Sequence, residues 1–302
     1  MLGKRGSYLG YFYLTLAMVL VGSTVIASKV IASGLPPFTA TALRFAIALP
    51  CLLGAMRLTG ASWPRPRGRD RITLVVQAAA GSVGYTTLLI SGLRLTSAAD
   101  AGVIIGTLPV VSAVIAILLL GERPHRFLML AIGLATAGIV MVAFPSSAGS
   151  GHSLLGNALV LGAVVCEGLF ILLNRRLDQA IAPLALSALM CGIGLVASAL
   201  FAVFEAPWTL VFSTQAVAAV IYYATVPTVG GFLLWYAGSA RTSGSEAALF
   251  TALAPVSAVV LAAVLLGERV SVAQVAGVGC VLLAVASLLL VRPASQGAVQ
   301  GP

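Results

Sequence analysis

The sequence predicts an all-α integral membrane protein with ten transmembrane helices, arranged as two inverted five-helix repeats. Three observations predict it. Sixty per cent of the 302 residues are apolar and only 8% are charged. An average soluble domain carries roughly 25% charged residues, so this chain has too few polar groups to cover a water-facing surface. The chain divides into ten apolar stretches, each close to the roughly 20 residues that a spanning helix needs. Finally, the string LLGER occurs at Leu119–Arg123 and again at Leu265–Arg269.

The stretches run 9–31, 38–56, 72–93, 99–120, 127–144, 154–174, 183–204, 214–237, 246–266 and 271–291. The first is too long for a cleavable signal peptide and lacks a small-residue cleavage site. Connections are short. The longest between neighbours is the Arg/Pro loop from Arg57 to Arg71, and Pro145 to Ser153 reads as a flexible linker. The tail from Pro293 is expected to be disordered. Thirty-two glycines permit close approach of helix backbones in lipid. The four cysteines, Cys51, Cys166, Cys191 and Cys280, have no CxxC spacing and read as small apolar side chains.

With the N-terminus placed in the cytoplasm, 13 of the 17 basic residues fall on the cytoplasmic side, 3 (Lys29, Arg94, Arg269) on the other, and Arg44 within the second helix. The positive-inside rule therefore puts both termini in the cytoplasm. The net charge of +9 is mostly this topology signal and does not point to nucleic acid. The Arg57–Arg71 cluster is suited to touch anionic membrane lipid.

LLGER belongs to a longer repeat. At an offset of 146, PVVSAVIAILLLGER from Pro109 meets PVSAVVLAAVLLGER from Pro255, with 9 identities in 15. Asp100 meets Glu246, Ser82-Val83-Gly84 meets Thr228-Val229-Gly230, Lys29 meets Arg175, and Pro37 meets Pro183. The register holds without a gap, which marks an internal duplication. The repeats are expected over 1–146 and 147–302. Each holds an odd number of helices, so the second enters the membrane upside down. Inverted repeats give two states of similar energy, each open to one side, with a site near the midplane. One chain holds both halves, so a monomer suffices.

The two five-helix repeats, Leu43-Arg44-Phe45 in the second helix and the P…LLGER helix in each half resemble the drug/metabolite transporter superfamily, and within it the ten-helix EamA-type exporters. The resemblance covers roughly residues 9–291. It implies movement of amino acids, other small metabolites or drugs, usually outward. Many members carry a tryptophan before the Gly-Ser of the first helix, where this chain has Val21.

Glu167 is the one acidic residue deep inside a predicted span. A charge at that depth is costly and marks a functional site by default, and a carboxyl that can take up a proton there suits proton exchange. The stretch Glu167 to Arg175 is similar to the first helix of the small multidrug-resistance transporters, which implies a glutamate that binds protons or cationic drugs. Arg44 has three readings: snorkelling to the outer interface, pairing with a carboxylate, or meeting a substrate carboxylate. Ser23, Thr24, Gln77, Tyr85, Tyr222 and Tyr223 are mid-span polar or amphipathic groups suited to line a pocket or to bond neighbouring helices. Pro109 and Pro255, expected mid-helix, and the paired Gly84 and Gly230 are hinge candidates. Glu122 and Glu268 at helix ends, and Asp100 and Glu246 at helix starts, read as caps.

No H-E-x-x-H, P-loop or membrane aspartate dyad is present, and the only histidines, His125 and His152, lie in connections. The chain is therefore not expected to be an enzyme, and neither a cofactor nor a metal is expected. The expectation is a secondary-active transporter working by alternating access in the inner membrane, possible proton coupling included. A channel-like facilitator or uniporter of neutral solutes is the alternative.

Overall fold

The computed structural model describes residues 2–120, 126–143, 153–174, 176–177, 181–242, 247 and 250–289. Linker 145–152, the tail from 293, Glu122, Arg123, His125, His152, Arg175 and Glu246 lie outside the described residues.

The described residues are helical with no strand. The helices are α1 (Leu2–Ala32), α2 (Pro37–Thr59), α3 (Arg69–Leu93), α4 (Ala98–Gly106), α5 (Leu108–Leu120), α6 (Arg126–Ala143), α7 (Leu154–Asn174), α8 (Pro183–Ala202), α9 (Thr214–Ser239), α10 (Leu253–Leu266) and α11 (Val272–Leu289). Six are long and apolar enough to cross a membrane; α4 and α5 form one further bent crossing, and α6, α10 and α11 contain shorter apolar helices. Leucine, valine and phenylalanine side chains on the outside, such as Leu118, Leu200 and Val264, face the lipid, where such exposure carries no penalty.

Helix ends follow local chemistry. α2 opens with Pro37 after Pro36, and Gly60 closes it at φ 68°, a left-handed cap suited to glycine. The Glu205 carboxylate accepts from the amides of Phe38 (3.0 Å) and Thr39 (2.7 Å) at that same helix start. Ser97 caps α4 by accepting from the Asp100 amide. Glu268 accepts from the amides of Ala98 (2.9 Å) and Ala99 (3.0 Å). A carboxylate there satisfies orphan donors and complements the helix dipole.

Packing follows the repeat. α1 lies against the second half of α9 and against α10, while α7 lies against the second half of α3 and against α5. α2 packs on α8, and α6 on α11. A Cβ added at Gly92 would sit 2.9 Å from the Gly156 carbonyl oxygen and 2.8 Å from Val160 Cγ2. One at Gly238 would sit 3.1 Å from the Gly10 carbonyl oxygen and 2.7 Å from Leu14 Cγ. The three residues of one contact stand 146 positions from those of the other. Each repeat thus lays its third helix on the first helix of its partner, as a pseudo-two-fold axis requires.

Two features depart from regular helix. The crossing expected over 99–120 is two helices bent by 46° around Thr107. Pro109 therefore stands in the first turn of α5 and not mid-helix. Pro255 likewise stands in the first turn of α10, behind a turn at Thr251-Ala252. The missing proline N–H costs little there, since the first-turn amides have no intrahelical partner. In addition, α3 is π-helical over Ala78–Gly84 and α9 over Ala224–Gly231. These segments also begin 146 residues apart. Gly84 and Gly230 lie within them. A Cβ at Gly84 would meet Cys166 Sγ at 3.1 Å, whereas one at Gly230 meets nothing closer than the Thr225 carbonyl at 3.7 Å.

Candidate functional site

The two π-helical segments flank the middle of the bundle, and the charged candidates gather beside them. Arg44 stands in the first half of α2. Its side chain does not snorkel. Nη1 donates to Thr86 Oγ1 (2.8 Å) and Nε to Thr228 Oγ1 (3.2 Å). Its guanidinium carbon lies 4.0 Å from the Tyr223 ring centre and 5.0 Å from that of Phe45, within cation–π range. Tyr223 is 3% exposed, so this ring is a fixed bed for the cation.

Glu167 faces the same region from α7. It is within electrostatic range of Arg44 and of Tyr85. Tyr85 in turn is in range of Tyr223 and Arg44. Among the described residues Glu167 forms no hydrogen bond, and no ion pair joins it to Arg44 within 4 Å. As a whole residue Glu167 is partly exposed. Opposite charges thus share one interior region without neutralising each other by contact.

The remaining candidates divide. Tyr222 Oη and Ser23 Oγ are hydrogen-bonded at 2.7 Å, joining α9 to α1. Thr24 donates to the Val21 carbonyl of its own helix and makes no cross-helix bond among those described. Gln77 is fully buried and donates to the Phe170 carbonyl (3.2 Å) and Asn174 Oδ1 (3.4 Å), bridging α3 and α7. Its Oε1 has no partner among the described residues.

Thr86 and Thr228, which hold Arg44, escaped the sequence reading. Their only signal was that Thr228 falls on Ser82 in the repeat register. A second polar group was also hidden. Lys29 Nζ donates to the carbonyls of Leu93 (2.7 Å) and Thr96 (2.6 Å), and Gln274 Nε2 donates to Asp100 Oδ1 (2.6 Å). Thr96 Oγ1 donates to Asn157 Oδ1 (2.6 Å). This network ties both repeats together at the end of the bundle where α1 finishes. Cavities of about 390 Å³ around Arg94 and Phe212 and about 270 Å³ around Arg65 and Asp70 lie at opposite ends. Neither is lined by Glu167 or Arg44. Among the described residues no three His, Cys, Asp or Glu side chains come together as a metal site needs.

The model of the EamA-like transporter family matches residues 8–144 and again residues 154–290. The chain belongs to this family. As an EamA-like chain it is similar to bacterial proteins named as transporters over 68% to 90% of its length. An uncharacterized transporter, YetK of Bacillus subtilis (strain 168), is 32% identical over 278 residues, covering 90% of this chain and 84% of that one. A protein of Streptantibioticus cattleyicolor named as a probable terminal-alkyne amino-acid exporter is 28% identical over 211 residues, covering 68% of each. A solved crystal structure shares the fold with a TM-score of 0.63 at 21% identity, covering 95% of this chain and 97% of that one. The protein is therefore a multi-pass membrane transporter of two EamA-like repeats, and a small-molecule cargo follows from the family.

Proposed function

We propose that this EamA-like transporter is a secondary-active exporter of small organic solutes (amino acids, amines or drugs), working by alternating access and coupled to protons through Glu167. The observation that carries this reading is the pair Glu167 and Arg44. An acid and a base lie within electrostatic range without a hydrogen bond or ion pair between them, and Arg44 bonds threonines at both π-helical segments. A carboxylate without a protein partner can hold a proton or the cationic part of a cargo, but not both. Each then binds at the other's expense, which is what antiport requires. Arg44 keeps N–H groups beyond the two given to threonines, and these suit a cargo carboxylate. The name of the Streptantibioticus relative, an amino-acid exporter, fits such a cargo.

The test is uptake and counterflow in proteoliposomes with a panel of amino acids, amines and drugs, with and without an imposed proton gradient. Gradient-dependent accumulation of a panel member is expected. Equal fluxes with and without the gradient would leave a uniporter of neutral solutes as the better account. A conductance beyond carrier turnover would favour a channel.

Orientation is part of the proposal. With both termini in the cytoplasm, a cysteine at Gly68 is expected to be labelled only from the cytoplasmic side of the inner membrane, and one at Gly149 only from outside. The 13-to-3 distribution of basic residues motivates this. Labelling of Gly68→Cys by an impermeant reagent in intact cells would reverse the orientation.

A further inference from the structure

We propose that Arg44 is a staple that joins the π-helical segments of the two repeats into one mechanical unit, which makes it a positioning residue for the transport cycle. π-helical turns are rare, cluster at functional sites and disturb the regular pairing of backbone carbonyls. Here a threonine hydroxyl bonds a carbonyl within or at the edge of each one. The Thr86 hydroxyl, two residues past the end of the first segment, donates at 2.9 Å to the Ser82 carbonyl within it. The Thr228 hydroxyl donates to the Tyr223 carbonyl at 2.8 Å, five residues back and at the entry to the second segment. Both hydroxyls then accept from the same guanidinium, through Nη1 and Nε. Tyr223, whose carbonyl is so held, also beds the guanidinium with its ring at 4.0 Å.

A displacement of either segment therefore changes the hydrogen bonds that Arg44 can offer the other. Charge-assisted bonds are the stronger class, and the planar fork of arginine is what lets one cation reach two acceptors in fixed directions. Duplication alone does not produce the arrangement. At the offset of 146, Arg44 corresponds to Met190 and Thr86 to Phe232. The staple is a single asymmetric link added to a symmetric frame. It stands on the fold and does not depend on the cargo or on proton coupling.

The test is hydrogen–deuterium exchange of the full-length chain in lipid nanodiscs, read by mass spectrometry over 78–84 and 224–231, with α6 and α11 as reference. Thr86→Val and Thr228→Val keep the side-chain shape and remove one acceptor each. Thr86→Val is expected to speed exchange in both segments, the remote 224–231 included, by roughly two- to tenfold, the exchange equivalent of one hydrogen bond. Thr228→Val should do the same in reverse. Arg44→Lys, which keeps the charge and loses the fork, should raise exchange in both segments together. A merely structural arginine would raise exchange throughout, α6 and α11 with the rest, and that outcome would overturn the staple. So would faster exchange confined to the segment whose own threonine was changed. Should Arg44→Lys fail to fold, the two threonine variants still decide the matter. Failure of the transport assay would leave this measurement untouched, so the two proposals fall separately.

Discussion

Glu167→Gln is expected to fold normally and to lose proton-driven accumulation, down to the level of liposomes without protein, while keeping part of the downhill exchange. The amide has the size of the carboxyl and cannot take up or release the coupling proton. Stability should change by less than about 1 kcal/mol, below the cost of stranding a buried hydrogen-bond partner. Among the described residues Glu167 holds no hydrogen bond whose loss would strand a partner. A structural glutamate predicts the reverse pattern: a clear change in thermal midpoint with coupling intact. Proton release on substrate addition in detergent separates the two, once a panel solute is shown to bind wild type and variant. Equal release from both would remove Glu167 from the mechanism.

The residues that led to Glu167 and Arg44 were legible because sign and depth are one-dimensional facts. An acid or base flanked by apolar residues stands out in any span. What Arg44 touches was not legible. Its partners Thr86 and Thr228 are neutral and short. In sequence they look like the many threonines that bond back to their own helix, as Thr24 does. Gln77 shows the same limit from the other side. Its polarity suited it either to a pocket or to a bond between helices, and the sequence could not say which; its amide bonds the Phe170 carbonyl on α7.

The crossings with long apolar runs were readable almost to the residue, since length and hydropathy alone decide them. The break at Thr107 was legible only in part: Gly106 and Pro109 flank it and are poor helix formers, but Pro109 was expected in mid-helix and not in the first turn after a break. A Cβ added at Gly106 would sit 2.8 Å from Pro255 Cβ and from Val281 Cγ1, so close packing on the other repeat accompanies the local signal. The first π-helical segment, AAAGSVG over Ala78–Gly84, left no local signal, whereas the second holds Pro227, whose missing N–H interrupts the α ladder. Only the register of the duplication, which brings Ser82-Val83-Gly84 onto Thr228-Val229-Gly230, hinted that both places share a geometry.

That shared geometry makes a demand on two glycines. Gly92→Val and Gly238→Val are each expected to destabilise the protein by roughly 1–3 kcal/mol or more, the cost of overpacking a tight contact. The upper end is favoured because part of the obstacle is backbone: the carbonyl oxygens of Gly156 and Gly10 lie 2.9 and 3.1 Å from the added Cβ positions. Neither carbonyl can step aside without moving its helix. Gly133→Val is the control. Gly133 is exposed on α6, and an added Cβ meets nothing within 4 Å, so the change should stay within about 0.5 kcal/mol. Valine is also no worse a helix former than glycine, which removes propensity as a cause of any loss at the other two. Thermal midpoints of the three variants in one detergent decide the question. The two contacts are images of each other under the pseudo-two-fold, so their losses should be similar in size. A damaging Gly238→Val beside a silent Gly92→Val would break that equivalence. Damage at Gly133 equal to the others would show that the bundle rejects β-branched residues everywhere, and that close approach at Gly92 and Gly238 has no special part in holding the repeats together.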